Sequence, residues 1–206
     1  MSRPPSPVAH RLKLLAGYLR GQAVCPGLPL TAVIAATRRC NMACRMCLRA
    51  VMPFDGPDLE MALFRKIIDE GAPWFRYVCL DGPGETTLHP EVFDMVRYAR
   101  ARGIRTVFST NASTFDAVTC DAILDSGLDQ IILSVNGTTP EVYAAVHGVD
   151  GYEDAVARIR RFLARKRERR AKIMVSVQMI RLPETLPQVG DFYRMCGGSP
   201  ASISCG

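Results

Sequence analysis

From Leu30 onward the chain alternates short apolar, β-branched runs with longer stretches of helical periodicity. That alternation is the signature of parallel βα units. Strands are expected at Thr31 to Thr37, Arg76 to Leu80, Arg105 to Ser109, Gln130 to Ser134 and Lys172 to Ile180. Helices are expected at Asp58 to Glu70, Pro90 to Arg102, Phe115 to Ser126, Pro140 to His147, Tyr152 to Arg170 and Leu186 to Met195. Asp58 stands where an N-cap belongs, Leu59, Leu63 and Ile67 form one apolar stripe, and Gly71, Gly103 and Gly127 read as C-terminal stops. Near-continuous apolar strands joined by helices imply a sheet covered on both faces, either an open doubly wound layer or a full or partial barrel. Both architectures place ligands at the carboxyl ends of the strands.

The unusual residues fall at that edge. Strand one runs into Cys40, strand two into Asp81-Gly82-Pro83-Gly84-Glu85, strand three into Ser109-Thr110-Asn111, and strand four into Ser134-Val135-Asn136-Gly137. Four loops are thus expected to converge on one mouth.

Of the eight cysteines, three crowd into Cys40-Asn41-Met42-Ala43-Cys44-Arg45-Met46-Cys47, a C-x3-C-x2-C spacing. Scattered cysteines such as Cys79 and Cys120 sit inside apolar runs and read as small core residues. Three thiolates on a tight loop can hold three corners of a cubane iron-sulfur cluster and leave the fourth iron open. An open metal position implies chemistry. The alternative is a zinc knuckle, which wants a fourth ligand from a second cysteine pair or a nearby histidine. The sequence has no such pair; His89 follows strand two and could reach the loop, whereas His10 and His147 belong to the N-terminal segment and a helix end.

Composition excludes several classes. With 206 residues, 48% hydrophobic and 22% charged, one folded domain is the expectation. The segment Met1 to Arg20 mixes Arg3, Arg11, Lys13 and Arg20 with only a short apolar run, unlike a signal peptide or a membrane span, so a cytoplasmic chain with no membrane contact is expected. Net charge is +6, but Arg158 to Lys172 holds nine basic residues against Glu168 alone, so the rest of the chain is slightly acidic. Without interleaved aromatics or a reading motif, this reads as a solvated helix and argues against a nucleic-acid partner.

The cysteine motif resembles that of the radical S-adenosylmethionine (SAM) superfamily, over about Leu30 to Ile180. The resemblance implies an α/β fold, a partial (β/α)6-type TIM barrel of parallel strands with outer helices. It implies a 4Fe-4S cluster on Cys40, Cys44 and Cys47, with SAM chelating the open iron, and reductive cleavage of SAM to a 5′-deoxyadenosyl radical that abstracts hydrogen from a substrate. Gly82, Pro83, Gly84 and Glu85 look like the family's SAM-binding segment, where backbone carbonyls meet the ammonium; Pro83 and Thr86 depart from the commoner residues. Ser109, Asn111, Ser134 and Asn136 resemble the segments that contact SAM's carboxylate and ribose, while Gln178 and Met46 are weaker candidates. The Cys-Arg-Met-Cys-Leu-Arg run and the Gly-Pro-Gly-Glu turn look most like the SPASM-domain-containing branch, which implies a peptide or small-molecule substrate, such as a cofactor precursor, and a reductant protein such as flavodoxin or ferredoxin.

The expected division is an N-terminal extension over 1–29, a core over 30–196 and an irregular tail over 197–206. The stretch from Cys196 to Gly206 lacks the pattern of a buried strand, so the last barrel strand is expected to be missing and the chain truncated. A cluster-binding fragment without turnover, and a zinc or redox module, therefore stand as the alternatives.

Overall fold

The computed structural model describes residues 7–52, 54 and 56–197; the proposed tail, apart from residue 197, lies outside them. Five strands form one parallel sheet in sequence order: β1 (Thr31–Val33), β2 (Tyr77–Cys79), β3 (Arg105–Thr110), β4 (Gln130–Ser134) and β5 (Met174–Gln178). Between them run α2 (Met61–Gly71), α3 (Val92–Ala101), α4 (Ala117–Ser126), α5 (Pro140–His147) and α6 (Tyr152–Glu168), with α1 (Pro7–Leu19) before the sheet and α7 (Val189–Met195) after it. This parallel α/β sheet with its helices is that of a partial TIM barrel.

The sheet's two faces differ. Val78, Leu80, Phe108, Ile131 and Leu133 are fully buried beneath Phe64 and Ile68 of α2, Met95 and Val96 of α3, Ile123 of α4 and Phe162 of α6. Register pairs Phe108 with Ile131 and Ser109 with Ile132, so the opposite face carries Cys79, Val107, Ser109, Gln130, Ile132 and Ser134, all half-buried. The expectation that both faces are fully covered fails on this side. The physical reason is chemical: Ser109, Gln130, Ser134 and Ser176 share this face, and Gln130 donates to the Ser176 hydroxyl at 3.2 Å. A polar inner face suits a concave wall that water or a ligand can reach.

Element ends moved from their expected places for local reasons. Strand one stops at Val33 rather than Thr37, because the Thr37 hydroxyl donates to Asp58 at 2.5 Å and accepts the Arg39 N–H at 3.0 Å, turning the chain out of the sheet. Asp58 is accordingly no N-cap. Helix α2 is preceded by Glu60, and Asp58 accepts a two-pronged hydrogen bond from Arg39, which holds its carboxyl below the ordinary aspartate range. Gly71 forms the last residue of α2, with Ala72 beyond it. Asp116 caps α4 through the Thr119 N–H at 2.7 Å, so that helix begins two residues later than expected.

The basic helix α6 leans on α4. Arg165 grips Asp121 in a fork, and Arg169 reaches both Asp121, at 2.9 Å, and Asp125. Its arginines thus tie two outer helices together. Helix α1 docks through His10, whose ring lies 4.5 Å from that of Trp74 and whose Nε2 is 2.9 Å from the Leu28 carbonyl. Among the described residues, no helix is long and apolar enough to cross a membrane.

Candidate active site

The loops at the strands' carboxyl ends enclose a cavity of about 310 Å3. Its wall contains Cys40, Cys44, Met46 and Cys47 from the loop after β1, and Gly82, Pro83, Gly84 and Glu85 from the loop after β2. Ser109, Thr110 and Asn111 close β3's end, Ser134 and Asn136 close β4's, and His147 and Ile180 complete it. Every candidate ligand of the cluster and of SAM therefore meets in one place, with Met46; Gln178 is not among the lining residues. A cleft of about 360 Å3 between α4 and α6 is walled by Arg161, Arg165 and Glu168 and has Cys120 as its thiol. Volume alone does not single out the mouth; three converging thiols do.

The cysteine loop is fastened on every side. The Glu85 N–H donates to the Arg39 carbonyl at 2.8 Å, and the Arg45 N–H to the Val146 carbonyl at 3.0 Å. Arg39 also donates to the Leu88 carbonyl at 2.7 Å, joining the loops after β1 and β2 through its clamp on Asp58. Asn41 accepts from the Asn111 amide at 3.1 Å and donates to the Ser113 hydroxyl at 2.7 Å, while the Ser113 N–H returns to the Asn111 side-chain oxygen at 2.9 Å. Gly84 is required here by close approach: a Cβ would lie 2.3 Å from the Thr37 carbonyl oxygen and 2.8 Å from that of Arg39. Gly82 packs similarly on Ala35.

Several residues nominated for ligand contact spend their side chains inside the protein. The buried Glu85 carboxylate accepts from the Thr87 hydroxyl and the Thr110 hydroxyl, both at 2.6 Å, from the Thr87 N–H at 3.2 Å and from the Asn111 N–H at 2.8 Å. Ser109 donates its N–H and hydroxyl to Asp81, at 2.6 and 3.2 Å. The Asn136 side-chain oxygen accepts the Ile180 N–H at 2.8 Å. These groups shape the wall. His89 does not reach the cysteines, because its Nε2 meets the Leu59 carbonyl at 3.0 Å and its Nδ1 accepts the Glu91 N–H at 3.0 Å.

His147, dismissed in the sequence as a helix end, lies beside the cysteines with its Nδ1 3.4 Å from the Cys44 sulfur. Asn41, whose amide braces Asn111, is likewise a part of the site that sequence reasoning missed, whereas Asp81 and Thr110 stand at the strand ends where the mouth was expected. Nothing in the local sequence of His147 signalled its place beside the cysteines.

The donor set fits a cluster. Burial pushes the Cys40 thiol up, and burial together with neighbouring Cys40 and Cys47 pushes Cys44 up to about 11. Buried thiols such as Cys40 and Cys44 are stabilised as thiolates by a bound metal centre. Among the described residues no three His, Cys, Asp or Glu side chains are close enough to hold a single ion. A cubane spreads its irons over separate corners, so its cysteines need not meet at a point.

A parallel α/β sheet with three thiols and glycine-lined loops at its carboxyl edge defines a cofactor-dependent enzyme of the iron-sulfur kind. The chain belongs to the radical SAM superfamily, whose family description matches residues 34–196. The cofactors of that family are a 4Fe-4S cluster and SAM, and its members are enzymes. The chain is 31% identical over 102 residues, 48% of its length and 29% of the relative's, to the tungsten-containing aldehyde ferredoxin oxidoreductase cofactor-modifying protein of Pyrococcus furiosus. It is 30% identical over 128 residues, 62% of its length and 35% of the relative's, to the mycofactocin maturase MftC of Mycobacterium ulcerans. Its fold is similar to that of Streptococcus suis SuiB bound to precursor peptide SuiA, with a TM-score of 0.71 and 17% identity, covering 92% of this chain and 40% of that one. The chain spans less than half the length of these proteins.

Proposed function

We propose that this chain carries the core, over residues 30–196, of an enzyme that binds a 4Fe-4S cluster through Cys40, Cys44 and Cys47 and reductively cleaves SAM there. The observation that carries the reading is the convergence of the three thiols with the loops after β2, β3 and β4 on one cavity. The bound cluster supplies the electron that breaks the sulfonium bond, which no side chain could provide.

The protein's own part is to hold and orient. The loop from Gly82 to Glu85 offers backbone carbonyls to an ammonium, and Pro83, which lacks an N–H, still presents its carbonyl. Ser134 lines the cavity at the end of β4, and a hydroxyl there suits a carboxylate or a ribose hydroxyl. Asn111 and Asn136 contribute through position, since their amides brace the wall. Met46 offers a soft apolar contact for adenine.

For the substrate we infer a peptide side chain, supported by the fold shared with SuiB bound to its precursor peptide SuiA and by similarity to a maturase. A small cofactor precursor is the second reading, supported by the likeness to a cofactor-modifying protein. A low-potential reductant such as flavodoxin or ferredoxin is the fitting electron source, and a reducing cytoplasm the fitting compartment for free thiols.

Anaerobic reconstitution with iron and sulfide tests the central reading. A brown protein with about four irons per chain, forming 5′-deoxyadenosine from SAM only when reduced, is expected. Colourless protein holding zinc, or a cluster that leaves SAM intact under reduction, counts against it.

A further inference from the structure

The end of α5 and the cysteine loop meet at three points. The Arg45 N–H bonds the Val146 carbonyl at 3.0 Å. Gly148 lies so near Ala43 that a Cβ would come within 2.6 Å of its carbonyl oxygen. Between these two contacts, His147 Nδ1 stands 3.4 Å from the Cys44 sulfur. The imidazole is fully buried and stacked on Tyr143, with ring centroids 4.2 Å apart and planes 27° from parallel. It cannot turn freely.

Its tautomer follows from its other neighbour. His147 Nε2 lies 3.2 Å from the backbone nitrogen of Asn136. A backbone N–H can only donate, so Nε2 must present a lone pair, and a neutral imidazole then carries its proton on Nδ1. An imidazolium would set two N–H groups against each other. The Nδ1–H therefore aims at Cys44.

We propose that His147 is a positioning residue that donates a fixed N–H···S hydrogen bond to Cys44 and thereby raises the reduction potential of the cluster held by the three cysteines. The inference rests on the cluster assignment above. An iron-bound thiolate keeps lone pairs that accept hydrogen bonds, and hydrogen bonds to cluster sulfurs are among the levers that set potential. Electron density on sulfur rises when the cluster takes up an electron, so the donor favours the reduced form. His147 thus makes this cluster easier to reduce by a protein donor.

Two variants and two measurements decide it. In the cluster-free protein, long-range 1H–15N spectra should place the ring proton of His147 on Nδ1; a proton on Nε2 overturns the donor assignment. In reconstituted protein, an EPR-monitored redox titration should show His147→Phe lowering the cluster's reduction equilibrium constant roughly tenfold, about 59 mV for one electron, at unchanged iron content. Phe leaves the Asn136 N–H without an acceptor and can cost stability. His147→Gln offers both an acceptor and a donor, and should recover most of the potential. Equal potentials in wild type and both variants overturn this inference while leaving the cluster assignment intact. A wild-type protein that holds no cluster overturns both.

Discussion

Gly84 and Thr37 are in backbone contact: a methyl group on Gly84 would lie 2.3 Å from the Thr37 carbonyl oxygen. The glycine expected to admit a ligand is thus also the seat on which the cysteine loop rests. Gly84→Ala should therefore lower iron uptake as well as SAM affinity, because backbone carbonyls cannot yield as a flexible side chain would. Iron analysis and anaerobic SAM titration on the same preparation check this; full iron with weakened SAM binding would show that the contact relaxes without moving the cysteines.

Cys40→Ala, Cys44→Ala and Cys47→Ala should each abolish SAM cleavage and leave labile or absent iron, since a cluster with two protein ligands is poorly held. Cys79→Ala and Cys120→Ala should keep a full iron complement. Burial and the nearby Asp81 push the Cys79 thiol up to about 12, and burial first of all pushes Cys120 up to about 11. Retention of iron and 5′-deoxyadenosine formation by Cys44→Ala would refute the ligand assignment.

Glu85→Gln should destabilise the fold by roughly 2–3 kcal/mol, the cost of losing charge-assisted hydrogen bonds in a buried site. The amide cannot accept on both sides, so its NH2 must face either the Asn111 N–H or the two threonine hydroxyls. Urea unfolding followed by circular dichroism measures this; a shift in midpoint of no more than experimental scatter would argue that the carboxylate is dispensable.

Asp121 is held below the ordinary aspartate range, chiefly by its hydrogen bond with Arg165. A depressed carboxylate stabilises the fold above its unfolded pKa, near 4, and that contribution fades as pH falls through the lower folded value. Asp121→Asn should therefore cost a little stability at pH 7, progressively less below pH 4, and less in 1 M salt than in dilute buffer, the pair being only half-buried and open to counterions. Thermal melts across this grid would expose an error if the cost were insensitive to both pH and salt.

Alternation of β-branched runs with amphipathic stretches made the five strands legible, because parallel sheets write their burial directly into composition. The mouth was legible too, since Cys40 and Gly82 follow strand ends and Ser109 and Ser134 stand at them. Which polar groups would remain available inside it was not. Asn111 binds Glu85 and Asn41 across 26 and 70 residues of sequence, and such partners have no local signal. His147 reaches Cys44 across 103 residues, and its neighbours describe only a helix ending at a glycine. Asp58 had the right chemistry for a cap; the competing partner, Arg39, came from another loop.

The segment bearing Cys40, Cys44 and Cys47 is moored by bonds that involve no iron: Glu85 to Arg39, Arg45 to Val146, Asn111 to Asn41. In small metal-dependent domains, ordering the chain and capturing the metal are one event, and a chelator unfolds the protein. Here the cost of ordering the loop is met by the apoprotein, so cluster loading resembles a part entering a prepared socket. A chelator should strip the iron and leave the melting transition of the scaffold nearly where it was, and an assembly factor delivering a finished cluster would meet a receptor already in shape.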